Sequence, residues 1–182
     1  MIENTIEVFE QGHHRVRIVT DENVLNPRRD YDHLVHVLTI DTHLNQYIAV
    51  DPDGGPLAEH WEDIAWRPDA PEIFARYVRA FHGGVVIEDR GHGRPVTLWY
   101  LTREDIEQHG ITDPTQTILD ELQEYRYWAD GEVFGYVVEQ ELEYRPGRTV
   151  WDEVDSLYGL YGYAYAKEQA QQALKESTAF AA

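Results

Sequence analysis

The chain predicts an α+β fold, in which an antiparallel sheet is built from hairpins and three or four helices pack on it. Stretches rich in β-branched residues occur in pairs with short turns between them. Segments with apolar residues at helical spacing lie between and after these pairs. The two kinds of element lack the regular alternation of a parallel βαβ fold. The length of 182 residues predicts a single domain, 1–182, with 56–70 as the candidate place for a subdivision.

The first elements are predicted to be strands. Ile2–Phe9 and Arg15–Thr20 carry β-branched residues and flank a turn at Gln11-Gly12, which indicates a hairpin. Leu34–Ile40 and Tyr47–Val50 are two further candidate strands, and the Pro- and Gly-rich residues 51–56 form a strong turn signal after them. The segment 57–67 is ambiguous between helix and loop.

A helix and a second hairpin are predicted next. Asp69 is a candidate N-cap, and Gly83-Gly84 ends the helix. Val85–Glu88 and Val96–Leu101 are then predicted to pair around the loop 89–95. The apolar side of the helix is formed by Ile73, Tyr77, Val78 and Phe81.

Two more helices follow. Thr102 and Asp105 form a capping-box pattern for a short helix that ends near Gly110. Asp113-Pro114 starts the other helix, which ends before Asp130-Gly131. One side of this helix carries Ile118, Leu119, Leu122 and Tyr125.

The C-terminal third predicts a long hairpin and a last helix. Glu132–Tyr144 and Thr149–Tyr158 flank the turn Arg145–Arg148. The helix covers Tyr163–Ser177. Its predicted buried stripe is Ala166, Ala170, Ala173 and Leu174. The segment 157–163 alternates Gly with aromatic residues, and we expect it to join the hairpin to this helix and to pack in the core.

The register of this hairpin decides where its acidic residues lie. If Tyr144 pairs with Thr149, the core face holds Tyr136, Val138, Leu142 and Trp151. The opposite face then holds Glu139, Glu141 and Glu143, with Asp152 opposite Glu141. Carboxylates at alternate strand positions lie about 6.7 Å apart, and phosphates along one DNA strand about 3.4 Å apart. Because the carboxylate spacing is about twice the phosphate spacing, such a row can imitate part of a row of phosphates. The acids of the preceding helix, Asp120, Glu121 and Glu124, would widen the acidic surface.

Charge is the strongest functional signal. The formal net charge is -19, and positions 101–160 hold fifteen acidic residues against four basic ones. The acids are interleaved with aromatic and aliphatic residues, which predicts a folded acidic surface. Such a surface repels nucleic acid and anionic membranes and attracts basic protein patches. A solvated sheet face without a partner is the alternative reading of the same residues.

Several classes of site find no support in the sequence. The chain has no cysteine, which excludes disulfides and thiolate metal ligands. Its serines lie outside any nucleophile-elbow pattern, and its Gly-rich segments lack the lysine of a phosphate-binding loop. We expect no catalytic residues and no cofactor. No signal-peptide or membrane-spanning pattern is present, so the expected location is the cytoplasm.

Histidines in the first half define an alternative function. His33, His36 and His43 lie near Asp41. If Leu34–Leu38 is a strand, His33 and His36 point to opposite faces, and a metal site would need His13, His14 or His60 as well. A small metal-dependent enzyme therefore stays open as the alternative to a binding protein, and a homo-oligomeric structural module is a third option.

Sequence elements near both ends of the chain carry a resemblance to a known family. Asn26-Pro27-Arg28 followed by Tyr31-Asp32 is similar to the Asn-Pro-Arg-x-x-aromatic-Asp element of a widespread, uncharacterised family of phage and plasmid proteins. The segments 134–138, 154–163 and 166–168 are similar to its C-terminal end. After Asp32 the chain departs from the family, because His33–His43 replaces a basic, cysteine-containing stretch.

The resemblance implies a mobile-element origin in a bacterial cell. Small acidic phage proteins bind and block host proteins, including restriction and CRISPR nucleases, in some cases by nucleic-acid mimicry. The sequence and the resemblance together predict a non-catalytic protein that binds a basic, nucleic-acid-handling host protein. The predicted partner-binding residues are Glu139, Glu141, Glu143, Asp152, Asp120, Glu121 and Glu124.

Overall fold

A computed structural model describes residues 4–30, 32–41, 46–49, 69–90 and 96–179. The predicted α+β class with antiparallel sheets is confirmed. Along the chain the elements are β1 (Thr5–Gln11), β2 (His14–Thr20), α1 (Pro27–Asp30), β3 (His36–Asp41), β4 (Gln46–Ala49), α2 (Ala70–Tyr77), β5 (Val85–Asp89), β6 (Val96–Leu101), α3 (Arg103–His109), α4 (Pro114–Ala129), β7 (Val133–Arg145), β8 (Arg148–Tyr161) and α5 (Tyr163–Ala179).

The chain divides into two compact units. The first contains residues 1–30 and 124–182, and the second contains residues 31–123. Each unit holds one four-stranded antiparallel sheet, in the order β1-β2-β7-β8 in the first and β4-β3-β6-β5 in the second. The single domain expected from the length stays a prediction. Of the segment 56–70, where a subdivision was expected, residues 56–68 lie outside the described residues. The turn 51–56 and residues 91–95 of the predicted loop 89–95 also lie outside them.

Helix α5 covers one face of the first sheet. Its predicted stripe of Ala166, Ala170, Ala173 and Leu174 is buried, as the helical spacing indicated. Small alanine side chains allow the helix backbone to lie close to the sheet, and burial of apolar side chains is the main stabilising contribution to this unit. The sheet side of this core consists of Val16, Ile18, Phe134, Tyr136, Val138 and Leu160.

The Gly- and Tyr-rich segment before α5 is bound to the loop that follows β2. Gly159 has a φ of 76°, which favours glycine. Its N–H donates to the Asp21 carboxylate at 3.1 Å, and the Tyr161 hydroxyl donates to the Leu25 carbonyl at 3.3 Å. The C-terminal segment of the family resemblance therefore contacts the chain directly before Asn26, where the N-terminal segment begins.

Helix α2 supports the sheet of the second unit. Phe74 packs edge-on against Tyr100, with ring centroids 5.2 Å apart, and the two residues share a buried cluster with Leu38, Val78 and Leu98. A π-helical turn over Val78–His82 extends α2 and ends at Gly83, as predicted. Asp69 occupies the predicted N-cap position of α2, but its side chain makes no capping hydrogen bond.

The capping box of α3 is confirmed. The Thr102 hydroxyl accepts from the Asp105 N–H at 3.2 Å, and the Asp105 carboxylate accepts from the Thr102 N–H at 2.7 Å. In α4, Ile118 and Leu122 of the predicted apolar side are buried, whereas Leu119 is 41% exposed.

The long hairpin forms as predicted, but its register differs by one residue. Thr149 lies opposite Glu143 instead of Tyr144, because the pairing shifts next to the turn between Glu143 and Arg145. Trp151 consequently lies opposite Glu141 and leaves the predicted core face. Leu142 lies opposite Val150 and is 41% exposed, so it too is outside the core.

Candidate protein-binding surface

The seven predicted partner-binding residues fall into two sets. Glu139, Glu141 and Glu143 lie on β7 and Asp152 lies on β8, so these four share the hairpin of the first unit. The other set, Asp120, Glu121 and Glu124, lies on α4. Glu124 belongs to the first unit, whereas Asp120 and Glu121 belong to the second. The hairpin and the helix are therefore described separately.

Glu139 is neutralised inside the molecule. Its carboxylate accepts from the Arg15 Nε at 2.5 Å and from the Arg17 Nε at 3.0 Å, and its side chain is only 10% exposed. Burial alone opposes ionisation, but hydrogen bonds and attraction from the two arginines outweigh it and lower the pKa of Glu139. The predicted role of Glu139 in an exposed acidic row disagrees with this placement.

Trp151 packs against one of the two arginines that bind Glu139. The Arg15 guanidinium lies 4.4 Å from the centre of the Trp151 ring, a distance suited to cation–π attraction. Arg15 pairs with Glu139 between β2 and β7, and Trp151 pairs with Glu141 between β7 and β8. Side chains of paired residues point to the same face. Sequence reasoning missed this contact because it placed Trp151 on the other face.

Glu141 and Glu143 have partners within the hairpin region. The Glu141 carboxylate lies 3.1 Å from the His13 Nδ1. Hydrogen bonds from His13 and Thr149 lower the pKa of Glu141. The Glu143 carboxylate accepts from the Gly147 N–H at 2.7 Å and closes the turn. Glu143 is exposed and Glu141 is half-buried, so both carboxylates still reach solvent.

The acids of β8 have no such partners. Asp152 lies opposite Gln140, not opposite Glu141 as predicted, and Glu153 lies opposite Glu139. Asp152, Glu153 and Asp155 are all exposed. Within the part of the chain that the structure describes, none of the three forms an ion pair with a basic side chain. Glu153 and Asp155 were missed as site residues, although both belong to the acidic run noted in the sequence.

The acids of α4 have local structural roles. Glu121 accepts hydrogen bonds from the backbone N–H groups of Leu34, at 2.9 Å, and Val35, at 3.3 Å. Its carboxylate thus holds the segment before β3. Asp120 accepts from the Gln116 side-chain amide one helical turn earlier, at 2.7 Å, and is exposed. Glu124 is half-buried.

The histidines of the metal hypothesis are only partly described. His43 and His60 lie outside the described residues. Strand β3 begins at His36, so His33 precedes the strand and the expected alternation of faces does not apply to it. The His36 Nε2 lies 3.1 Å from the Asp105 Oδ2, against the Tyr100 ring. Among the described residues, no group of three or more histidines and carboxylates is arranged to hold a metal ion.

His36 therefore takes part in the capping of α3. Burial disfavours the charged form of Asp105, but hydrogen bonds from the Thr102 hydroxyl and N–H, together with His36, outweigh burial and lower the pKa of Asp105. The arrangement connects β3 to the N-terminus of α3.

Among the helices that the structure describes, none has the length and apolar character to cross a membrane. Comparison of the chain with protein-family models, with curated proteins and with solved structures found no match.

Proposed function

We propose that this chain is a non-catalytic acidic protein that binds a basic, nucleic-acid-handling protein of its host cell and blocks it. The observation that carries the proposal is the group of exposed acids on β8, Asp152, Glu153 and Asp155, which lack basic partners in the described part of the chain. Unpaired exposed carboxylates provide long-range attraction for a cationic surface.

Two features of the hairpin support a binding role over a merely solvated face. Beyond β2, which ends its pairing at Gln140, the hairpin continues as two strands alone. This distal part carries exposed apolar side chains beside the acids, including Tyr144 at 52% and Val150 at 44%. A surface with both apolar area and unpaired charge provides affinity from burial and specificity from charge.

The structure narrows the residues of the proposed surface. Glu139 is removed from the set, because its charge is balanced by Arg15 and Arg17. Glu141, Glu143 and Asp152 are kept, and Glu153 and Asp155 are added. The case for imitation of a phosphate row by alternate residues of β7 is weaker than predicted, because Glu139, the first of these residues, is buried. The proposed recognition is therefore of a basic protein surface by the outer end of the hairpin and the β8 strand.

The test is capture of a partner from a lysate of the host cell, with identification by mass spectrometry. The variant Asp152→Lys/Glu153→Lys/Asp155→Lys removes the proposed attraction. The control Glu107→Lys/Glu132→Lys/Glu168→Lys changes the charge equally at exposed positions outside the hairpin. We expect a nucleic-acid-binding protein to be retained by the wild type and by the control, and lost with the hairpin variant.

Salt and competition measurements complete this test. Rising ionic strength should weaken the complex, because exposed charges are screened over about 10 Å at 0.1 M salt. Nucleic acid should compete with the chain for the captured protein. A complex that is insensitive to salt, or equally retained by the hairpin variant, would contradict the proposal.

A further inference from the structure

Among the strands that the structure describes, β8 has a neighbour on one side only. It is the last strand of its sheet, beside β7. Between Thr149 and Glu153 its pairing with β7 is regular, and a bulge at Val154 ends the regular run. We call Thr149–Glu153 the β8 edge. Alternate backbone N–H and C=O groups of such an edge point away from the sheet and are open to pairing with another strand.

The side chains of the β8 edge carry both apolar surface and charge. Val150 is 44% exposed, and Leu142 opposite it is 41% exposed. Asp152 shares the face of Val150, whereas Glu153 points to the other face. The two carboxylates therefore lie on both sides of the open backbone. Neither carboxylate has a basic partner within the described ranges.

We propose that the β8 edge binds an extended segment of its partner as a fifth strand, and that this segment carries two consecutive basic residues next to apolar ones. The inference rests on the proposed function and specifies how the partner is recognised. Consecutive residues of a strand point to opposite faces, so a Lys-Arg pair places one cation beside Asp152 and the other beside Glu153. An apolar residue two positions from the first cation then covers Val150.

Self-pairing with a second copy of this chain brings like charges together in several registers. Antiparallel self-pairing centred on Asp152 or Glu153 places that carboxylate opposite its own copy. Self-pairing centred on Val154 places Glu153 opposite Asp155. Like charges directly opposite are unfavourable, and the net charge of -19 on each copy adds repulsion. A basic segment meets the same backbone with complementary charge.

Binding of synthetic peptides to the full chain tests the proposal. The probe alternates valine and threonine around a central Lys-Arg pair, and a matched peptide has Gln-Gln at the centre. Two further probes are N-methylated at alternate backbone amides, one on the even and one on the odd positions. A paired strand donates toward its neighbour through every second N–H only, so one methylated probe should lose binding while the other retains it.

Two protein variants accompany the peptides. Asp152→Asn/Glu153→Gln should weaken binding of the Lys-Arg probe by about tenfold, the value expected for loss of two cross-strand ion pairs. The control Glu132→Gln/Glu168→Gln should leave it unchanged. Chemical-shift changes of backbone amides should be concentrated in Thr149–Glu153.

The outcomes separate this inference from the proposed function. Equal binding of both methylated probes, or shift changes away from the β8 edge, would overturn strand addition. The proposed function would still stand if the lysate partner is lost with the hairpin variant. No binding of the Lys-Arg probe by the wild-type chain would also overturn strand addition. Failure of the lysate test with successful strand addition would instead overturn the proposed inhibition alone.

Discussion

The Arg15 guanidinium donates through Nε to the Glu139 carboxylate at 2.5 Å, between strands that are 124 residues apart in sequence. Arg17 donates to the same carboxylate, and the Trp151 ring lies against Arg15. The first carboxylate of the predicted acidic row is thus bound inside the sheet by its own arginines. Because Glu139 has a structural role, the proposed binding surface is restricted to the outer hairpin and β8.

Glu139→Gln is expected to destabilise the fold more than Glu141→Gln. Loss of the charged acceptor leaves two half-buried guanidinium groups without their counter-charge, which costs roughly 1–3 kcal/mol of unfolding free energy. The Glu141 side chain is 30% exposed and its partner His13 is 81% exposed, so loss of this pair should cost much less, because water screens exposed charges. Urea unfolding measures both, and equal losses would contradict the structural role of Glu139.

Glu139 also shows how far the sequence could predict this surface. Alternation along β7 correctly separates Glu139 from Tyr136 and Val138, which pack under α5. Its neutralisation depends on β2 lying beside β7, a pairing between distant segments that no local pattern shows. The sequence therefore predicts which face of β7 carries the acids. Which of these acids are neutralised can be known only from the order of the strands in the sheet.

The prediction of the hairpin register failed for a similar reason. Arg145-Pro146-Gly147-Arg148 correctly predicts the turn, since Gly147 has a φ of 71°. The extra residue at Tyr144, which moves Thr149 opposite Glu143, leaves no sequence signal of its own. By contrast, the capping box of Thr102 and Asp105 and the alanine stripe of α5 were predicted residue by residue, because both depend on contacts within one helix or one turn.

The Asp105 carboxylate should make stability depend on pH. Its pKa is lowered in the folded protein, so its contribution is fully present above the unfolded pKa of about 3.9. The contribution is lost as pH falls through the lower folded value. Asp105→Asn should therefore lower stability near neutral pH, and the difference from wild type should shrink in acid. Urea midpoints measured across this range test the sign.

Asp113→Asn is the matched control for this prediction. The Asp113 carboxylate accepts from the Gln116 N–H at the start of α4, at 3.0 Å, and asparagine makes the same bond about equally well. We expect only a small change in the free energy of unfolding at neutral pH. A wild-type advantage over Asp105→Asn that grows as pH falls would contradict the role given to the Asp105 charge.

Gly162→Ala should destabilise the protein more than Gly131→Ala. Both glycines have positive φ, 87° and 73°, so an alanine at either position costs about 1–2 kcal/mol through its backbone conformation. A Cβ at Gly162 would also lie 2.7 Å from the Tyr127 ring, whereas a Cβ at Gly131 meets no atom within 4 Å. Thermal unfolding of both variants measures the additional cost of displacing Tyr127, and an equal decrease in Tm would argue against that contact.

The Tyr163 hydroxyl and the Lys167 ammonium both donate to the Glu7 carboxylate, which connects the start of α5 to β1. The hydrogen bond from Tyr163, followed by that from Lys167, lowers the pKa of Glu7. Tyr163→Phe removes the largest single contribution and should raise the pKa of Glu7 toward its ordinary value. Lys167→Met removes both a hydrogen bond and the attraction of the ammonium, so it should raise the pKa of Glu7 as well. Side-chain carboxyl shifts followed by NMR during a pH titration measure both changes. An unchanged pKa in either variant would contradict the contribution given to that donor.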